Sequence, residues 1–258
     1  MREHEAKAGL SLCAAGQPSH AWQPSQFEDI RLRPKKPASQ RGVKSQKNVR
    51  EYTTGEEIAN AISHGLGVVL AIVAIPTTIV AALNGSGGGT ALAAALIYAI
   101  SMLLEYMAST LYHALTHPGA KKVFKVIDHC GIYLFIAGTY TPFCLVTLID
   151  AGGITLCVVV WVLALIGIAL EAFWVFRPRW ISALIYLMLG WCVVGYLPVL
   201  VEVLPLPGLV LLAAGGVSYS VGCIFYVLKK IPYMHTVFHL FVLGASILQY
   251  LSVVLYAL

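Results

Sequence analysis

Charge is what this 258-residue chain has least of: Asp, Glu, Lys and Arg make up 11% of it, where about a quarter is usual in soluble domains, and 59% is hydrophobic. That deficit excludes an ordinary soluble globular protein, and the same hydrophobicity excludes disorder over most of the length. No repeat with a period of roughly 20–50 residues is present, so a solenoid is not expected. Cysteine pairing is missing too. Cys13, Cys130, Cys144, Cys157, Cys192 and Cys223 are scattered with no C-x-x-C, which argues against a disulfide framework or a thiolate zinc ribbon and for free buried thiols. The first fifty residues lack any apolar run, hence the core of a secretory signal peptide. They are rich in Pro, Gln, Ser, Lys and Arg, and are expected to form a disordered basic cytoplasmic tail (1–50), leaving the first hydrophobic helix as an uncleaved targeting signal.

What is present is a series of seven apolar runs, approximately 60–83, 91–115, 124–148, 154–176, 181–203, 207–228 and 233–257. Each is long enough to cross a hydrocarbon core, which takes about 20 helical residues. The breaks between them are short and carry Gly or Pro, as in Asn84-Gly-Ser-Gly-Gly-Gly89 and Pro205-Leu-Pro207. The fold class expected is therefore an all-α membrane protein, a bundle of seven transmembrane helices over 51–258. The net charge of +5 informs through its distribution: ten Lys/Arg lie in the tail and the rest are Lys121, Lys122, Lys125, Arg177, Arg179, Lys229 and Lys230, all in alternate connections. By the positive-inside rule the N-terminus is cytoplasmic and the C-terminus outside, opposite to G-protein-coupled receptors. The expected location is the plasma membrane, the inner membrane in a bacterium. Membrane lipids are the partners indicated; nucleic acid is not, and no soluble partner is identifiable.

An ionisable group within a spanning helix costs about 2.5–3.5 kcal/mol on insertion scales, so each one asks for a reason. Glu105, Ser109 and His113 form one stripe, at i, i+4 and i+8, approaching the cytoplasmic end of the second run. Asp128, His129, His235 and His239 fall in the first cytoplasmic turns of the third and seventh runs. His235 and His239 lie on one face, about 6 Å apart along the axis. Those two imidazoles plus one from a neighbouring helix would supply three nitrogens to Zn²⁺ with the fourth position open to water. Asp128 could then orient that water or accept its proton, and Ser109 could bond the water or a substrate oxygen. The H-x-x-x-H pair by itself serves equally as a helix cap or an acid's partner; convergence of His113, Asp128, His235 and His239 at one depth favours the metal. The pair lacks the Glu of the zincin motif. His117 reads as a solvated loop residue and His129 as a packing or hydrogen-bonding one. Glu105 reads as a buried neutral acid or a support to the site, Glu171 as snorkelling to the interface, and His64 as a lining residue.

The run Tyr52-Thr-Thr-Gly-Glu-Glu-Ile-Ala-Asn-Ala-Ile-Ser-His-Gly-Leu-Gly67 is followed in order by Ser109-Thr-Leu-Tyr-His113, Asp128-His129, Gly138-Thr-Tyr-Thr-Pro142 and His235-Thr-Val-Phe-His239. Over about residues 50–258 this resembles the hemolysin III family, the bacterial branch of the progestin and adipoQ receptor superfamily. The resemblance implies seven helices, a cytoplasmic N-terminus and a zinc ion held near the inner leaflet by His113, His235 and His239, with Asp128 reaching it through water and Ser109 close by. Superfamily members include adiponectin receptors and alkaline ceramidases, which implies metal-dependent hydrolysis of a lipid amide. The family name implies haemolysis, and bacterial members are linked to membrane fluidity. The tail is longer than the resemblance leads one to expect.

Two classes of function follow. One is a zinc-dependent lipid hydrolase with Asp128 as base and Ser109 assisting the oxyanion; the other is a non-enzymatic sensor of membrane state, or a haemolysin, in which zinc is structural. A secreted pore-forming toxin is disfavoured by the number of spanning runs, and a retinal protein by the absence of Lys from the last run. The orientation is testable. A reporter active only outside the cytoplasm should be active fused at Leu258 and silent within 117–123, and the reverse pattern would invert the depth argument.

Overall fold

The structure, a computed structural model, describes residues 52–174 and 178–258, so the expected tail and Arg177 lie outside the described residues. The helices are α1 (Thr54–Asn84), α2 (Gly88–Ala114), α3 (Pro118–Pro142), α4 (Gly153–Trp174), α5 (Arg179–Gly190), α6 (Leu197–Val203), α7 (Leu206–Val227) and α8 (Met234–Ser252). A π turn, Phe143–Thr147, prolongs α3 and another, Val253–Ala257, prolongs α8, while a 3-10 segment, Cys192–Tyr196, joins α5 to α6. These make seven spans long and apolar enough to cross a membrane.

Local chemistry sets the helix starts. The first span begins at Thr54, earlier than the apolar run, because Thr53 and Glu56 form a capping box: the Glu56 backbone N–H bonds Thr53 Oγ1 at 3.3 Å, and the Thr53 N–H bonds Glu56 Oε2 at 2.9 Å. The third span begins at Pro118 rather than near 124, since Pro suits a first helical turn and His117 caps it by accepting the Ala120 N–H. His117 is thus an exposed residue of the connection, as expected, that also caps the following helix.

The fifth run is broken, where the sequence predicts one helix over 181–203. Gly190 and Gly195 weaken the helix, and Pro198, in the first turn of α6, can donate to no carbonyl. The Tyr140 hydroxyl serves the backbone freed there: it donates to the Gly190 carbonyl at 2.6 Å and accepts the Val193 N–H at 3.0 Å. A break at membrane depth persists only with such internal partners.

Consecutive spans pack side by side from α1 to α4, α8 pairs with α7, and α8 closes back on α1. Close approach is built from glycine. A Cβ at Gly67 would run into the Tyr106 ring, and one at Gly131 into the Glu105 carboxyl. Tyr98, Met102, Tyr106 and Tyr133 fill the interior, while Leu83, Phe173 and Met188 point outward, as a lipid-facing surface allows. Every Lys and Arg of the described residues lies at one end of the bundle, with the starts of α1, α3, α5 and α8 and the ends of α2 and α7.

The break yields a test. Tyr140→Phe should destabilise the purified protein by about 1–3 kcal/mol in thermal melts, because two backbone groups lose their partner. Tyr98→Phe should melt like the wild type, since the buried Tyr98 hydroxyl has no partner to lose.

Candidate metal centre

At that basic end three imidazoles converge. One ligand-type nitrogen from each of His113, His235 and His239 lies within 4.8 Å of the others. His113 comes from the last turn of α2, His235 and His239 from the first turns of α8, one helical turn apart. The Nε2 atoms of His235 and His239 are 3.1 Å apart. Two imidazole nitrogens at tetrahedral angles on one zinc-sized ion would be separated by about 3.3 Å.

Hydrogen bonds from α1 fix which nitrogens face inward. His239 Nδ1 lies 3.2 Å from the Asn60 carbonyl and 3.0 Å from Ser63 Oγ, whose own proton goes to that carbonyl. A carbonyl only accepts, so Nδ1 carries the proton and Nε2 presents its lone pair. His113 Nδ1 lies 2.6 Å from Glu57 Oε2 and therefore donates to it, with Lys121 Nζ holding the other Glu57 oxygen at 2.8 Å. His113 Nε2 is left buried with no partner. An orphaned buried imidazole nitrogen beside two others fits a metal ion, and the carboxylate behind it is the support such a ligand ordinarily has. Asn60 is itself held by Thr236, which donates to its Oδ1 at 2.6 Å.

The other sequence candidates divide. Asp128 is buried and accepts a hydrogen bond from Ser109, with His113, Arg179 and Lys125 among the basic groups around it. Asp128, Ser109, His235 and His239 line one cavity of about 130 Å³. Its wall runs from Asp128 to Tyr140 on α3, a depth of about 18 Å at the helical rise. His129 stays out of the histidine trio and faces Glu171 at 3.7 Å. Glu171 is 1% exposed, so it is buried opposite His129 and does not snorkel. His64 lines the cavity and stacks on His239, ring centroids 3.5 Å apart. Glu105 is buried beside Gly131 and also lines the cavity.

Sequence reasoning missed the supporting groups. Glu57, Asn60 and Ser63 were within a quoted motif, and their spacing of three was the signal that they share a helix face. Tyr52 was also missed. Its ring stacks on His235 at 5.2 Å and meets His113 edge-on at 5.8 Å, covering two of the trio. Arg179 holds it, donating to the Tyr52 hydroxyl with its guanidinium over the Tyr52 and Tyr226 rings. Burial pushes the Tyr52 phenol up, and the Arg179 charge pulls the other way.

Glu57 supplies a test. Glu57→Gln should weaken divalent metal binding about 10- to 100-fold in a chelator competition, because His113 loses the carboxylate that orients it. Lys121→Ala should do much less, since its pair with Glu57 is partly exposed.

Known proteins bear on this arrangement. The haemolysin-III related family profile matches residues 52–250. Hemolysin-3 of Bacillus cereus is 46% identical over 205 residues, covering 79% of this chain and 92% of the relative. The Hemolysin-3 homolog of Bacillus subtilis (strain 168) is 45% identical over 205 residues, 80% of this chain and 96% of that one. Monocyte to macrophage differentiation factor of Homo sapiens is 26% identical over 169 residues, 61% of this chain and 67% of the human protein. The chain belongs to the haemolysin-III related family, as a multi-pass membrane protein.

Proposed function

We propose that this protein holds one Zn²⁺ on His113, His235 and His239 at the cytoplasmic leaflet of the plasma membrane and hydrolyses the amide bond of a membrane lipid. The observation that carries the proposal is that two of the three imidazoles open onto the cavity that also holds the Asp128–Ser109 pair. Three neutral imidazoles with a free position are the donor set of a catalytic rather than a closed structural zinc. The cytoplasmic placement rests on the basic residues gathered at that end.

Zinc bound there would supply a Lewis acid and bring the pKa of water close to neutrality. Asp128 is the base: it takes one proton from the attacking water as the new C–O bond forms and gives it to the leaving nitrogen as the C–N bond breaks, yielding a carboxylic acid and an amine. Ser109, held on Asp128, keeps that carboxylate aimed into the cavity and can donate to the carbonyl oxygen when Asp128 is protonated. Ile132, Phe135 and Ile136 beyond them provide an apolar wall for a chain.

A second reading, a sensor or haemolysin with structural zinc, is favoured by one feature: the trio and its support tie α1, α2 and α8 together. One measurement tests the metal common to both readings and a second separates them. Purified protein should contain about one zinc per chain, lost in His235→Ala/His239→Ala; full occupancy in that double variant would remove the site. Asp128→Asn should keep metal and melting temperature but lose turnover of lipid amides by a factor of at least about 100. A joint loss of stability and phenotype would favour the structural role.

A further inference from the structure

Part of the cavity's polar lining has no role in that chemistry. Glu105 and His64 line the cavity at 4% and 3% exposure, and Glu105 Oε2 and both His64 ring nitrogens have no hydrogen-bond partner. Neither residue belongs to the histidine trio. They lie at matching depth: His64 is ten residues into α1 and Glu105 nine residues before the end of α2, each about 14 Å from the basic end. His113 and His235 sit one residue from the ends of their helices and are shallower, while His239, five residues in, reaches His64 and stacks on it.

From the basic end inward, then, come His113 and His235, next His239 and Ser109, then Asp128 level with the unpartnered Glu105 and His64 atoms, and finally apolar wall. Buried polar atoms are expensive to leave unpaired, and a ligand that pairs with them gains selectivity over one that does not. Water would suit the polar stretch but not the apolar one beyond it. One ligand suits both: an acyl chain with a hydroxyl a carbon or two from its carbonyl. With the carbonyl held beside His239 and Asp128, the chain runs along the apolar wall and a hydroxyl one or two carbons away falls beside His64, which stacks on His239, and Glu105. There its O–H can donate to Glu105 and its oxygen can accept from the His64 N–H, whichever ring nitrogen carries it.

We propose that His64 and Glu105 form a subsite for a hydroxyl on the acyl chain near its carbonyl, so that the preferred lipid carries a β-hydroxyacyl group. The proposal rests on the lipid-amide reading above and names the acyl group that reading leaves open.

The test uses full-length, zinc-loaded protein in detergent and two probes, the N-ethyl amides of palmitic acid and of β-hydroxypalmitic acid. Dissociation constants by calorimetry should favour the hydroxylated probe about tenfold in the wild type. Glu105→Leu and His64→Phe should each abolish the preference while binding the plain amide as before; Phe keeps the ring that stacks on His239. Glu105→Gln, which still accepts a hydrogen bond, should retain most of it. Equal affinities in the wild type, as when water fills the subsite, or an undiminished preference in His64→Phe, would overturn the subsite while leaving the hydrolase reading intact. Binding of neither probe would overturn both.

Discussion

Hydrocarbon offers a buried polar atom no water, and most of this architecture is a response to that constraint. Thr78, Thr139 and Thr141 each return their hydroxyl to the carbonyl four residues back, and Trp161 donates to Thr141. Tyr140 tends the gap in the fifth span, and Glu56 takes donors from two helix starts. Against so much pairing, the atoms left over carry information. Glu105 Oε2 and both nitrogens of His64 line the polar part of a single cavity, and His113 Nε2 lies in the histidine trio, two members of which open onto it. Several of the unpaired atoms therefore sit where a ligand can reach them.

The centre itself is built in two layers with different exposure. The inner layer is the three imidazoles, two of them from α8 and one from α2. The outer layer comes from α1 and consists of one carboxylate, one carbonyl and one hydroxyl. Each outer group accepts a hydrogen bond from the Nδ1 of His113 or His239 and so leaves the Nε2 of that ring facing inward. The carboxylate is the one group of this layer tied to the water-accessible end, through Lys121. A helix that adds no imidazole to the trio thereby sets the tautomers of His113 and His239 on its neighbours.

Spans were legible in the sequence because lipid demands continuous apolar runs, and the ordered motifs made the family legible with them. His113, His235 and His239 could be grouped because one end of a bundle collects the end of α2 and the start of α8. What escaped was the break at Gly190 and Pro198, hidden because Val, Leu and Cys around it keep the run apolar whatever its backbone does. Glu57 escaped because a charge near a helix start has an ordinary explanation in capping and the helix dipole. Glu171 was misplaced for a related reason: its distance from the span's end suggested an exit to the interface, and only packing against α3 shows it turned toward His129.

One carboxylate joins the lid to the frame. Glu56 accepts from the Thr53 N–H at the start of α1 and from the Tyr233 N–H, at 2.9 Å, at the start of α8, where Tyr233 holds an unusual positive φ of 61°. Tyr52, the ring over the trio, is the neighbour of Thr53. Swinging Tyr52 far enough to admit a solute would pull on both helix starts at once, at about 1 kcal/mol for each cap lost, and would also detach Arg179. An equilibrium with that penalty keeps the centre open in only a few per cent of molecules or fewer at any instant. The histidines would then exchange metal at a rate limited by this rare opening, so a tightly held ion and a slowly released one would look alike unless kinetics and equilibrium were measured separately.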